Sequence, residues 1–203
     1  MGVAGVILCG GESRRMGRPK AWLPLGPECL LQRVVRIVGE VASPIVVVAA
    51  PDQVLPPLAP GPTVVRDAVP GEGPLRGLLT GLTALPHSAE LAFAVSTDAP
   101  FLRPGWILRL EELIGDLDLA IPESEGRVHP LAALYRVRAA IPVIEDSLAN
   151  GRFRLAALKD RLRTRTVPAA EFLSIDPELR SLRNLNTPEE YETALREAAI
   201  GPA

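Results

Sequence analysis

From Glu12 to Lys20 the chain reads ESRRMGRPK, with Arg14, Arg15, Arg18 and Lys20 against a single acid. This cationic segment follows Gly10-Gly11 directly, in a chain whose net charge is −2. Glycines let backbone N–H groups close on an anion, and Arg and Lys add charge-assisted hydrogen bonds to phosphate oxygens. Two carboxylates stand at similar places further on. Asp67 ends the run Thr63-Val64-Val65-Arg66, and Asp98 follows Leu91 to Ser96 and precedes Ala99-Pro100. Mg2+ typically takes one or two carboxylates together with substrate phosphates. Taken singly, the basic segment favours a phosphate-binding loop over a surface loop whose glycines only make the turn, while each aspartate reads at least equally as a turn or helix-cap residue. A cationic loop and strand-end acids together favour a nucleotide–Mg2+ site.

Other chemistries find little support. There is no GxxxxGK[ST], and Gly10-Gly11 followed by Gly17 does not fit GxGxxG. His87 and His129 have no second ligand at metal spacing, and Ser13 and Ser96 lie in no GxSxG elbow. Cys9 and Cys29 lack CxxC or zinc spacing and read as free thiols. Trp22 and Trp106 read as packing groups.

The elements that must carry these residues follow from periodicity. Strands are expected at Val3 to Leu8, Ile45 to Ala49, Thr63 to Asp67, Leu91 to Ser96, Leu117 to Ile121 and Leu131 to Tyr135. Helices are expected near 29–41, 73–85, 104–114, 139–149, 154–162 and 188–198. Pro74 and Pro104 suit first helical turns. This alternation predicts an α/β, Rossmann-like, mainly parallel sheet with helices on both faces, which binds ligands at the carboxyl ends of its strands. Gly10-Gly11, Asp67 and Thr97-Asp98 all fall at such ends.

The chain has 203 residues, 47% hydrophobic and 23% charged, with no repeat and no linker-like stretch. One domain over 1–203 is expected. The near-neutral balance leaves no global footprint for nucleic acid or an anionic membrane. No apolar run approaches the ~20 residues that span a bilayer. MGVAGVILCGG reads as a first strand rather than a signal peptide, so a cytoplasmic location is expected.

Read as one string, Leu8-Cys9-Gly10-Gly11-Glu12-Ser13-Arg14-Arg15-Met16-Gly17-Arg18-Pro19-Lys20 resembles the LxGGxSxRMGxxK signature of the MobA-like nucleotidyltransferases. Four blocks follow in the family's order: Gly73 to Leu78 (GPLRGL), Thr97 to Leu102 (TDAPFL), His129 to Tyr135 (HPLAALY) and Asn184 to Glu190 (NLNTPEE). The resemblance covers nearly the whole chain and is nearest the guanylyltransferase branch that serves the molybdenum cofactor. It implies a nucleotide-diphospho-sugar transferase-like fold. It also implies Mg2+-dependent transfer of GMP from GTP to the phosphate of molybdenum-bound molybdopterin, with release of pyrophosphate.

Carried over by position, the resemblance has Leu8, Cys9 and Gly10 cradle GTP, with Gly11 continuing the loop. Lys20 would contact phosphates, Asp67 the nucleotide, and Asp98 both GTP and Mg2+. Arg15 would stabilise charge on the triphosphate, so Arg15, Lys20 and Asp98 form the expected catalytic set. Transient contact with proteins that deliver and receive the cofactor is also implied. Two positions depart from the family: Cys9 stands where Ala is usual, and Ala49-Ala50-Pro51-Asp52 has no Asn where a base-contacting Asn often follows the second strand. The alternatives are a related transferase using CTP or another phosphate acceptor, and a non-catalytic nucleotide-binding or cofactor-handoff protein.

On the acceptor side the reading stays open. Glu123 to His129 (ESEGRVH) forms either a mobile lid or an exposed hairpin; Asn184 and Asn186 are candidates for facing the acceptor or the metal, and His129 for facing the acceptor. Asn186-Thr187-Pro188 is equally a helix start, with Thr187 as cap and Pro188 in first position.

Overall fold

The computed structural model describes residues 2–10, 18–67 and 72–200. Uninterrupted apolar runs form the inner strands: β1 (Val3–Leu8) is buried at every residue. A 3-10 turn (Lys20–Trp22) and a small hairpin, β2 (Pro24–Leu25) with β3 (Glu28–Cys29), lead into α1 (Leu30–Gly39). Leu30, Leu31, Val34, Val35, Ile37 and Val38 form the buried side of α1, and Gln32 Oε1 accepts the Cys29 N–H at its start, 3.0 Å away.

Next come β4 (Ala42–Ala49), β5 (Thr63–Arg66), α2 (Gly73–Thr83), β6 (Leu91–Ser96) and α3 (Pro104–Ile114). The second half holds β7 (Leu119–Ser124), β8 (Arg127–Val128), β9 (Ala132–Arg136), α4 (Val137–Ala149), β10 (Thr164–Pro168) and α5 (Pro188–Ile200). The main sheet runs β10-β7-β9-β6-β1-β4-β5, with β8 paired to β7. β6, β1, β4 and β5 are mutually parallel, whereas β9 runs antiparallel to both β6 and β7.

Side chains alternate across this sheet with period 2 and feed two cores. Ile7, Cys9, Val47, Phe93 and Val95 pack on one face with α1 and α3; Val6, Leu8, Val46, Val48 and Ala94 pack on the other with α2 and α4. Trp106 is fully buried and stacks on Phe172, ring centroids 3.8 Å apart, in keeping with a packing role. Cys9 and Cys29 are buried free thiols.

The expected architecture holds, with two local corrections. Residues 154–162 were expected as an α-helix but form a 3-10 segment, Leu155–Asp160. The strand after it, β10, carries no sequence expectation, because as an edge strand it buries only Val167 among Thr and Arg residues. No helix among the described residues is long and apolar enough to cross a membrane.

Close approach of α2 to the sheet depends on Gly81. A Cβ there would stand 2.4 Å from Val6 Cγ1 and 3.0 Å from Val48 Cγ2. Both partners are β-branched and buried, so neither swings aside. Gly81→Ala is therefore expected to destabilise the fold by about 1–3 kcal/mol, as overpacking does, despite alanine's better helix propensity. Urea denaturation checks this; unchanged or increased stability would contradict the packing described.

Candidate functional site

Strand register brings the chemistry to one edge. Leu8 lies opposite Val48 on one side and Ser96 on the other, and Ala49 lies opposite Arg66. The residues just beyond these pairs, Cys9-Gly10, Ala50, Asp67 and Thr97-Asp98, therefore line the carboxyl edge in the order β6, β1, β4, β5. The chain runs from β1 to β4 and β5 and then returns to place β6 on the other side of β1. Where such a sheet reverses its order, a crevice opens between the diverging loops.

Lys20 and Asp98 meet at that crevice. Lys20 Nζ donates to Asp98 Oδ2 at 2.7 Å and to Asn186 Oδ1 at 2.9 Å. The Ser96 hydroxyl donates to the other carboxylate oxygen, Oδ1. The backbone of Thr97 is pinned to β1: its N–H and its Oγ1 both donate to Leu8 O, at 3.0 and 3.2 Å. Asp98 is thus held from both sides of the crevice.

Asn186 arrives from far along the sequence because Leu185 is fully buried with Leu23, Leu25 and Leu30, and its N–H donates to Asp98 O at 2.8 Å. Thr187 also caps α5, as the helix-start reading expects. Its Oγ1 accepts the Glu190 N–H at 3.2 Å, while Glu190 Oε2 accepts the N–H of Thr187 at 3.0 Å and of Asn186 at 2.6 Å. Capping and delivery of Asn186 are the same local structure. Asn184 lies exposed on the same segment.

On the β4–β5 side, Asp67 N–H donates to Ala49 O at 2.9 Å. Its Oδ2 lies 3.9 Å from where a Cβ on Gly77 would stand, so the first turns of α2 close the edge beside it. The β1 loop is equally tight: a Cβ on Gly10 would meet Ala50 N at 3.2 Å. Burial raises the Cys9 thiol pKa, partly offset by hydrogen bonds with Thr97 and Gln53, so the thiol stays protonated near neutrality. Gly11 and Arg15 lie outside the described residues, whereas Leu8, Cys9, Gly10, Lys20, Asp67 and Asp98 come together along this edge.

Residues 123–129 form a hairpin. β7 and β8 pair through a two-residue turn in which Glu125 (φ 51) and Gly126 (φ 70) are both left-handed. Ser124 Oγ and His129 Nε2 lie 2.7 Å apart, and burial lowers the His129 pKa against an opposing effect of Glu125.

The oxygen-rich character of this set fits a hard divalent cation bound through one carboxylate and a substrate's phosphates. No cluster of three His, Cys, Asp or Glu exists among the described residues, so a fully protein-built metal cage is not what they make.

Ser96, Gln53 and Arg66 also stand at this edge, and no motif marks them. Ser96 had a visible signal, two residues before a strand-end aspartate. Gln53 had only its position after a Pro-Asp turn.

The chain matches the MobA-like NTP transferase domain over residues 5–164. It is 37% identical over 200 residues to a molybdenum cofactor guanylyltransferase of Desulfosudis oleivorans, covering 98% of this chain and 96% of that one. A probable molybdenum cofactor guanylyltransferase of Mycobacterium tuberculosis is 43% identical over 164 residues, 78% of this chain and 79% of that one. Among solved structures, molybdopterin-guanine dinucleotide biosynthesis protein A from Archaeoglobus fulgidus superposes with a TM-score of 0.80 at 22% identity, covering 97% of this chain and 99% of the other. The 2-C-methyl-D-erythritol 4-phosphate cytidylyltransferase of Thermus thermophilus superposes at 0.70 and 18% identity, covering 98% and 100%, a likeness of fold alone. A mostly parallel sheet whose reversal point gathers Lys20 and Asp98, together with this extent of sequence identity, places the chain in the MobA-like NTP transferase family.

Proposed function

We infer that this protein is a nucleotidyltransferase that moves GMP from GTP onto the phosphate of molybdenum-bound molybdopterin. A phosphate oxygen of the acceptor bonds to the α-phosphorus, the bond from that phosphorus to the bridging oxygen breaks, and pyrophosphate leaves with the electron pair. No general base is needed, because the attacking phosphate is already largely ionised near neutral pH.

The observation that carries this reading is the Lys20–Asp98–Asn186 cluster at the sheet's reversal point. Bringing an anionic nucleophile to an anionic triphosphate makes positioning and charge neutralisation the main tasks. When nucleotide arrives, Lys20 is the cation already at the crevice to receive its phosphates. Arg15, in the cationic segment just before it, would add charge to the same triphosphate. Asp98 would hold Mg2+, which when bound supplies charge neutralisation between the nucleotide's phosphates and the carboxylate. Asp67, at the far end of this edge, suits the hydroxyls of the nucleoside rather than its phosphates. Leu8, Cys9 and Gly10, with Gly11 beyond them, provide the backbone cradle between these ends.

Thermal shift with GTP, CTP, ATP and UTP, each with and without Mg2+, tests the assignment. Ligand at ~100-fold excess over Kd stabilises the folded state by about 2.7 kcal/mol. The expected result is a Mg2+-dependent rise for GTP that the other nucleotides do not match. A rise for CTP alone would move the protein to cytidylyl transfer, and no rise with any nucleotide would overturn the site.

A further inference from the structure

We propose that Gln53 is the positioning residue that sets nucleotide affinity and base choice in this site, acting through the backbone of Cys9 and Ala50. The inference rests on the nucleotide-binding reading above. Gln53 Nε2 donates to Cys9 O at 3.0 Å and contacts Cys9 Sγ at 3.4 Å, while its Oε1 accepts the Ala50 N–H at 3.1 Å. One half-buried carboxamide therefore bridges the ends of β1 and β4, using both its donor and its acceptor.

The bridge is itself fixed from outside. Gln53 N–H donates to Ala50 O at 3.2 Å, closing a tight turn over Pro51-Asp52. Arg66 Nη1 donates to Ala50 O at 2.9 Å and to Gln53 O at 2.6 Å, so its guanidinium is turned back onto the turn. Trp22 Nε1 donates to Val54 O at 2.9 Å, tying the residue after Gln53 to the 3-10 turn that begins at Lys20. The carboxamide thus bonds to Cys9 and Ala50, and the backbone turn that carries it is tied to Arg66 and Trp22.

Its place in the site follows from the strand order. Lys20 and Asp98 mark the phosphate end, at the β1–β6 crevice. Asp67, three strand spacings of ~4.8 Å from Asp98, is the residue that the nucleotide-binding reading assigns to the nucleoside's hydroxyls. A nucleotide held at Lys20 therefore extends its nucleoside across the ends of β1 and β4, over the peptide groups that Gln53 holds. A base is read by hydrogen bonds in fixed directions, so the orientation of these peptides matters more to the base than to a phosphate.

Calorimetric titration of wild type, Gln53→Met and Gln53→Glu with GTP, CTP and inorganic pyrophosphate, all with Mg2+, tests this. Met keeps the side chain's length and loses both hydrogen bonds. Glu keeps an acceptor for Ala50 N–H but sets an anionic oxygen against Cys9 O. Each variant is expected to weaken GTP about tenfold, equal to ~1.4 kcal/mol, and to narrow the GTP-to-CTP ratio. Pyrophosphate affinity is expected to stay within about twofold, because that probe occupies only the phosphate end. Equal losses for GTP and pyrophosphate, or a lowered ligand-free Tm with the nucleotide ratio unchanged, would show a merely structural role and overturn the proposal. So would unchanged GTP binding by both variants. If wild type itself binds GTP no better than CTP, the guanylyl reading falls and this inference falls with it.

Discussion

Asp98→Ala is expected to lower Mg2+-dependent turnover by about a thousandfold or more, the ~4 kcal/mol scale of losing a metal's charge stabilisation, while leaving the fold intact. The side chain accepts from Ser96 Oγ and Lys20 Nζ and is only partly buried. The element that holds this corner together, Leu185 N–H on Asp98 O, is a backbone bond and survives the substitution. Asp98→Asn provides the isosteric control: it preserves shape and an acceptor for Ser96 but removes the charge. Both variants are expected to melt near wild type and both to be inactive across a Mg2+ titration. Activity retained in either would remove the metal assignment.

Lys20→Ala is the second large effect. Lys20 bonds to Asp98 and Asn186, which come from β6's end and from the segment before α5. Removing one preorganised donor aimed at developing charge costs about 10²–10³ in kcat, and kcat/KM falls at least as far because nucleotide phosphates lose the same partner. Stability should change little by comparison. The Lys20 and Asp98 side chains are 19% and 15% exposed, and partly solvated pairs contribute modestly. Steady-state kinetics beside a thermal melt separates the two. An unchanged kcat/KM would show that this cation is not directed at the triphosphate.

The parts of this site legible in the sequence are those determined by short-range patterns. An apolar run ending in Gly-Gly, a strand-end Asp67 and a strand-end Asp98 each announce themselves within a few residues, and parallel pairing then aligns them at one edge. Asn186 on Lys20 was not legible as a contact, because 166 positions separate the two residues. It depends on Leu185 burying itself beside Leu23 and Leu25. Gln53 was hidden for a different reason. Its carboxamide replaces no motif residue, and only the turn over Pro51-Asp52 folds it back onto Ala50 and Cys9. β10 escaped because an edge strand shows one buried residue, Val167, where an inner strand shows a run. The hairpin at 123–129 is closed by two left-handed residues, Glu125 and Gly126, in a tight turn.

Pyrophosphate release measured with GTP, Mg2+ and molybdenum-bound molybdopterin shows whether a nucleotide held between Lys20, Asp98 and Asp67 passes its nucleotidyl group to a phosphate acceptor. Release is expected to require all three components, to equal the guanine dinucleotide formed, and to fail when CTP replaces GTP. Tight GTP binding without acceptor-dependent pyrophosphate release would contradict it and make the protein a nucleotide-binding carrier instead.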